Sequence, residues 1–413
     1  MTKGALSLNR PKTSLEQAEL FCAVLGVLFS TFISFRAPFI LFTASDFFLT
    51  VSLMLRCTRS IPKFPIHSAT SMWMLGVGMV VAGLLIGGIA HGNPENAFVV
   101  IVQYFFSLVL LPLAILGRPY KEAVLLAKVG VVSIGLNCLI GMIAYAVGYS
   151  TKEGRQFILV SGNRRVTGLV DNPNGLAGLI VLWFPILWYL GLARAFRPAV
   201  FLGFFALTFI TLIFTSSNSS LAGAFICALI YLLLLGKFKV FLIWTTAITC
   251  IVAIGLRWAE LILPPTFRRR VLTPILEGDL QEAGTFDDRA DLMVEAWRLL
   301  PDYMLIGMGG GRYREVSADN ISVHNLYLLL ANEGSLMALF GLALIFLAAI
   351  VSALLVKSDT PHKALGRATV ITITLTFAAL AMNFTHVYQR GILVPWIVSI
   401  GLLSVHRMAH SRQ

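Results

Sequence analysis

The chain has 413 residues, 57% of them hydrophobic and only 13% charged, with a formal net charge of +12. No soluble domain of this length hides so much apolar surface, which excludes an ordinary globular enzyme or binding module. The basic residues are scattered between apolar stretches and form no single stripe, so positive-inside topology accounts for the charge better than nucleic-acid binding.

Met1 to Glu16 is polar and lacks a cleavable signal pattern, so the first span is expected to act as an uncleaved insertion signal. Apolar stretches of about 17–25 residues then recur, the length that crosses roughly 30 Å of hydrocarbon as a helix. They predict an all-α polytopic membrane protein of about 12 transmembrane helices. The expected spans are 17–35, 38–55, 72–91, 98–117, 125–148, 174–193, 199–216, 221–236, 240–257, 335–356, 369–386 and 392–406. Pro38, Pro198 and Pro361 mark helix ends, and Gly92-Asn93-Pro94 marks a turn. Cys22, Cys57, Cys138, Cys227 and Cys250 lie in or beside spans, without a CxxC pair or metal-ligand spacing, so neither a disulfide framework nor a metal site is expected. Asp46 and Asn383 stand out as polar residues within spans. Asp46 could line a cavity or pair with a buried arginine such as Arg36.

Lysine and arginine set the orientation. One side receives the basic residues of short connections, from Lys3, Arg10 and Lys12 through Arg56, Arg118, Arg194 and Lys237 to Lys357, Arg367 and Arg412. That side is expected to be cytoplasmic, with both termini inside. On the other side Lys152 is the sole lysine, beside Arg36, Arg155, Arg164, Arg165, Arg257, Arg268, Arg269, Arg270, Arg289, Arg298, Arg312, Arg314 and Arg390. The positive-inside rule treats both residue types alike and does not make that split. Arginine's planar fork grips phosphate oxygens bidentately, whereas lysine is a hydrated point charge. An outer-face phosphate or diphosphate ligand is therefore expected; compositional drift with attraction to anionic headgroups is the plainer explanation.

Two outer segments carry the chemistry. The first, about 149–173, contains Gly162-Asn163-Arg164-Arg165-Val166-Thr167-Gly168 and then Asp171-Asn172-Pro173-Asn174-Gly175, turn residues that launch the sixth span. Arg164 and Arg165 are candidates for the same anion site. The second is the long loop of about 258–322, too long for a passive connector. In it Asp287 or Asp288 is expected to cap a helix over about 288–300, stopped by Pro301. At 3.6 periodicity Arg289, Leu292, Met293, Ala296 and Leu300 share one face, with Asp291, Glu295 and Arg298 opposite. An unpaired cation on an apolar face is costly. A bound anion would relieve Arg289, and so would Asp288 or a backbone carbonyl. Arg268-Arg269-Arg270 would simply anchor the loop to headgroups. The turn Gly307-Met308-Gly309-Gly310-Gly311-Arg312 has no Walker lysine and allows close backbone approach. His324 then opens a short apolar stretch ending at Asn332-Glu333-Gly334. If that stretch is helical, His324, Tyr327, Leu328 and Ala331 share a face, and Glu333 points away, in a helix-end or supporting role. The chain thus divides into membrane helices 1–9 (1–257), an outer loop unit (258–334) and membrane helices 10–12 (335–413).

In this order the pieces resemble the bacterial O-antigen ligase and polysaccharide polymerase superfamily. The marks are Arg165-Val166-Thr167-Gly168 with Asn172-Pro173-Asn174, then Arg289 with Trp297, Pro301 and Gly307-Met308-Gly309, then His324-Asn325-Leu326-Tyr327-Leu328 with Glu333-Gly334. The resemblance implies an inner-membrane, inverting glycosyltransferase that uses neither metal nor other cofactor. Its donor would be a glycan on undecaprenyl diphosphate, and its acceptor lipid A-core. Arg289 would hold the diphosphate and His324 would activate the acceptor from the periplasmic side. Arg164, Arg165, Arg312, Arg314, Asn325 and Tyr327 are the expected substrate-binding residues. One departure stands out: many ligases carry an arginine in a Ser-Arg-Gly-like element opening the eighth span, whereas this chain has Ser216-Ser217-Asn218-Ser219-Ser220. That version is closer to exopolysaccharide polymerases, which join one lipid-linked glycan to another. A transporter for the same lipid would show internal repeats and interrupted helices at mid-membrane, and no convincing repeat is present.

Overall fold

The computed structural model describes residues 12–37, 42–60, 62, 64, 66, 69–91, 94–149, 157–240, 242–243, 246, 263–277, 286–356, 360–385 and 390–408. Helices dominate them. In chain order they are α1 (Ser14–Leu28), α2 (Ala44–Cys57), α3 (Ala69–Ala90), α4 (Pro94–Phe105) continuing through a π turn into α5 (Leu111–Ile115), α6 (Tyr120–Ala146), α7 (Pro173–Leu192), α8 (Pro198–Thr215) and α9 (Asn218–Leu234). Then come α10 (Pro265–Phe267), a π turn (Arg268–Leu272), α11 (Thr273–Glu277), α12 (Phe286–Tyr303), α13 (Tyr313–Val316), α14 (Leu326–Leu354), α15 (Pro361–Leu380) and α16 (Arg390–Met408). The sole sheet among the described residues pairs β1 (Arg36–Ala37) with β2 (Phe42–Thr43).

Among the described residues eight helical stretches are long and apolar enough to cross a membrane: Ser14–Thr31, Ala69–Ala90, Pro94–Ile115, Tyr120–Ala146, Pro173–Leu192, Pro198–Thr215, Leu326–Leu354 and Pro361–Asn383. Asn218–Leu234 and Arg390–Leu403 are shorter apolar helices, and α2, with 14 residues, is shorter than the span expected there. The architecture is that of an all-α, multi-pass membrane protein. The expected ninth span, 240–257, and Pro38 lie almost wholly outside the described residues. Boundary chemistry works as the residues dictate. Pro198 and Pro361 are the first residues of α8 and α15, where the missing N–H costs nothing. Asn172 caps α7, its side-chain oxygen accepting from the N–H groups of Asn174 and Gly175, with Pro173 as first residue.

Among the eight long apolar stretches α7 is the most deeply buried, and it packs against α6, α8, α9, α15 and α16. The closest pairing is α3 with α14, made possible by small residues. A methyl group on Gly76 would stand 2.5 Å from the Gly341 carbonyl oxygen, and one on Gly341 would stand 2.5 Å from that of Gly76. Gly83 and Gly334 repeat the approach seven residues along each helix in opposite directions, so the backbones meet antiparallel.

α14 is two helices rather than one. Ser335 (φ 63°, ψ −179°) interrupts it, a conformation normally reserved for glycine. The break falls where the sequence places the start of the tenth span. Its loose ends are satisfied: the Leu336 N–H donates to the Met304 carbonyl at 3.0 Å, and the Met337 N–H donates to the Ser335 hydroxyl at 3.2 Å. The segment before the break belongs to the loop, which has a small core of its own made of Leu292, Ala296, Met308, Tyr313, Val323 and Leu329.

Asp46 has a different partner from the one its sequence suggests. Arg36 is exposed, whereas Arg390 Nε donates to Asp46 Oδ1 at 2.5 Å, with Gln103 and the Phe106 ring completing its surroundings. The other Asp46 oxygen accepts from the Thr43 N–H and caps α2. Two jobs on one carboxylate explain its burial.

Candidate functional site

The site is assembled from four segments that are distant in sequence. Asn325 is the N-cap of α14, its side-chain oxygen accepting from the N–H groups of Tyr327 (3.0 Å) and Leu328 (3.2 Å). This cap holds His324 just outside the helix, so His324 does not share a helical face with Tyr327, Leu328 and Ala331. Its imidazole is half-buried and makes no hydrogen bond among the described residues.

α12 supplies Arg289. It starts at Phe286, so Asp287 and Asp288 fall inside its first turn rather than at the cap, and it runs through Pro301 to Tyr303. Pro301 is exposed near the helix end, where water can take the carbonyl left without a donor. Leu292 and Ala296 are buried as the periodicity predicts, and Asn332 pins the helix by donating to the Ala296 carbonyl at 3.0 Å. Arg289 lies at the open end of that buried face. Among the described residues it donates no hydrogen bond and meets no carboxylate.

Arg165 is buried between α7 and α8. Its Nε donates to the Thr215 carbonyl at 2.6 Å, at the negative end of α8, and a terminal nitrogen donates to Asn174 at 2.5 Å. Both acceptors are neutral. The fourth segment is the π turn after α10, where Asn218 donates to the Arg270 carbonyl at 2.9 Å and Thr266 to that of Asn163 at 2.8 Å. These bonds bring Arg270 to the same place.

Electrostatics couple Arg165 to Arg270 and Arg289, Arg289 to Arg270, and His324 to Arg289. Burial, then the charges of Arg270 and Arg289, depress Arg165 to about 9. Burial and then Arg270 depress Arg289, and burial with Arg269 depresses Arg270. Burial and then Arg289 hold His324 below its ordinary value. Among the described residues no carboxylate offsets these effects. Burial and mutual repulsion work against the charged forms of all of these groups, and for the imidazole they favour the neutral form. Coupled arginines beside an imidazole that favours its neutral form have the chemistry to receive an anion and to accept a proton at its edge.

The other sequence candidates do different work. Arg164 stacks on the Tyr145 ring, 5.3 Å from its centroid. Arg312 donates to the His91 carbonyl and Arg314 to that of Asn320. Tyr327 donates its hydroxyl to the Ala378 carbonyl at 2.6 Å, which ties α14 to α15. Glu333 is buried and accepts from the Tyr313 N–H, while its own carbonyl accepts from Gly309 at 2.9 Å. It braces the glycine turn, as a residue pointing away from His324 should. Gly309 (φ 99°) packs against the backbone of Gly87 and Gly88, an approach that a side chain would block. Arg270 and its support from Asn218 are what sequence reasoning missed. The triple-arginine run carries no sign of which member turns inward.

No family model matches the chain, and no curated protein matches it. The resemblance therefore rests on the residues themselves.

Proposed function

We propose that this chain is an O-antigen-ligase-like glycosyltransferase with about 12 membrane helices, cytoplasmic termini and a site on the periplasmic face of a bacterial inner membrane. It moves a glycan from undecaprenyl diphosphate to lipid A-core. The observation that carries this reading is the chain of couplings that links Arg165 and Arg270 to Arg289 and Arg289 to His324, with no carboxylate among the described residues to neutralise them.

The chemistry follows from the charges. The acceptor hydroxyl loses its proton to the neutral His324 imidazole as its oxygen bonds the anomeric carbon. The bond from that carbon to the phosphate oxygen breaks on the opposite face, giving inversion. Undecaprenyl diphosphate leaves with the electron pair, and the arginines stabilise the charge that grows on it.

A polymerase that adds the glycan to a second lipid-linked glycan is the second reading. It is favoured by the serine-rich turn Ser216–Ser220, in which Asn218 holds the Arg270 backbone instead of offering a cation. Lipopolysaccharide profiles of a deletion strain decide between them. Rough lipopolysaccharide with accumulated long lipid-linked glycan, rescued by wild type but not by His324→Ala or Arg289→Ala, supports the ligase. Accumulation of single repeat units supports the polymerase. An unchanged profile with loss of secreted polysaccharide places the acceptor outside lipopolysaccharide and contradicts the ligase.

A further inference from the structure

α12 presents three faces, and the loop core and candidate site use only one. Leu292 and Ala296 are buried against the rest of the loop. Asp291, Glu295 and Arg298 form a narrow polar strip, with Glu295 accepting from the Ser317 hydroxyl (3.0 Å) and the Ala318 N–H (2.8 Å). The third arc holds Val294, Trp297 and Pro301, three and four residues apart and so on one side of the helix. All are exposed, Trp297 by 66%. Met304, Leu305 and Ile306 follow directly, also exposed, Leu305 by 84%. A contiguous apolar surface of this kind is unusual on a water-facing element.

Its position shows what covers it. Tyr303 packs edge-on against His91, ring centroids 5.5 Å apart, at the end of α3. The Met304 carbonyl accepts from Leu336, the first residue past the break in α14. Residues 303–304 are thus fixed at the ends of two membrane helices. On the last turns of α3, Leu85, Ile86 and Ile89 are exposed and apolar, as the surface of a spanning helix is where it meets lipid.

We infer that the third face of α12 is seated in the bilayer surface, with the leaflet's own lipids as its occupant. Tryptophan favours this boundary, with its ring in the acyl region and its N–H at the headgroups. An apolar arc beside a charged strip is the pattern of a helix lying in the interface. The seat has a consequence for the site. Arg289 lies about 12 Å along the helix axis from Trp297, at 1.5 Å per residue. A helix in the interface plane keeps Arg289 at the level of headgroup phosphates, the height at which a lipid-anchored phosphate arrives. The seat follows from the helix surface and stands whether or not the chain transfers glycans.

The test reads Trp297 alone, as the difference in emission between wild type and Trp297→Phe. Both are reconstituted in phosphatidylethanolamine–phosphatidylglycerol vesicles. Trp297 is exposed, so the substitution leaves the fold intact, checked by an unchanged gel-filtration profile. The expected result is that lipids brominated near the glycerol backbone quench most of this emission, that bromines near the chain ends quench less, and that aqueous iodide has little effect. Quenching by iodide without quenching by brominated lipid would place the face in water and overturn the inference. Resistance to both would place it under protein and overturn it equally.

Discussion

Arg289 is positioned by packing and, among the described residues, has no acceptor or carboxylate against it, the reverse of how a structural arginine behaves. Arg118, just before the start of α6, shows the contrast: it is buried but meets Glu19 at 2.5 Å and the Ala114 carbonyl at 2.7 Å. Arg289→Gln should therefore abolish transfer while leaving the detergent melting temperature unchanged or higher, because it removes repulsion rather than a bond. A marked fall in melting temperature would show a structural role instead. His324→Ala should cost about 10²–10⁴-fold in rate, the range for loss of a general base. The acid limb of kcat/KM should lie below the ordinary histidine value of about 6.5, since burial and Arg289 both favour the neutral imidazole. Arg289→Gln removes one of those causes, so the His324 imidazole of that variant, followed by NMR, should titrate at higher pH than in wild type. An unmoved titration would mean that Arg289 does not act on the imidazole. At this scale the sequence was partly legible. Arg289 and His324 stood out by residue type and periodicity, whereas Arg165 and Arg164 were indistinguishable until φ 51° at Arg164 turned that side chain away onto Tyr145.

Two elements carry the geometry that presents the site. The antiparallel α3–α14 pairing works because backbone meets backbone, and a methyl group at Gly76 has no flexible side chain to displace. Gly76→Ala should lower stability by about 1–3 kcal/mol, the cost of overpacking, whereas Gly78→Ala, which meets nothing within 4 Å, should be neutral. Thermal unfolding of both in detergent measures the difference. Ser335 stores strain of about 1–3 kcal/mol at the break. Glycine would relieve it and lose only a few tenths from the cap, so Ser335→Gly should raise the melting temperature, and an unchanged or lower value would deny the strain. The sequence marked this break, since hydropathy placed the start of the span at the same residue. It did not mark the continuation of α12 through Pro301, because a proline is costly inside a helix but tolerable near an exposed end. The chain also gave no local sign that Asp46 is paired with Arg390, 344 residues away.

At the scale of the molecule, apolar periodicity dictates a membrane bundle, and the loop between its last helices folds into a unit with a separate core. That unit brings a histidine and an arginine to a site completed by Arg165 and Arg270 from either side of α8 and α9. Long-range convergence of this kind leaves no trace in local spacing, which is why its third cation was not legible. Such a site should be stabilised by its ligand. Saturating undecaprenyl diphosphate at a hundred times its dissociation constant should add about 2.7 kcal/mol to wild type, and Arg289→Gln should lose that gain. Equal stabilisation of both would mean that the lipid binds elsewhere. The most direct measurement is transfer by the purified protein in vesicles, given only an undecaprenyl-diphosphate-linked glycan and lipid A-core. The account predicts product formation with stoichiometric release of undecaprenyl diphosphate by wild type and none by His324→Ala. Undiminished transfer by His324→Ala would contradict it.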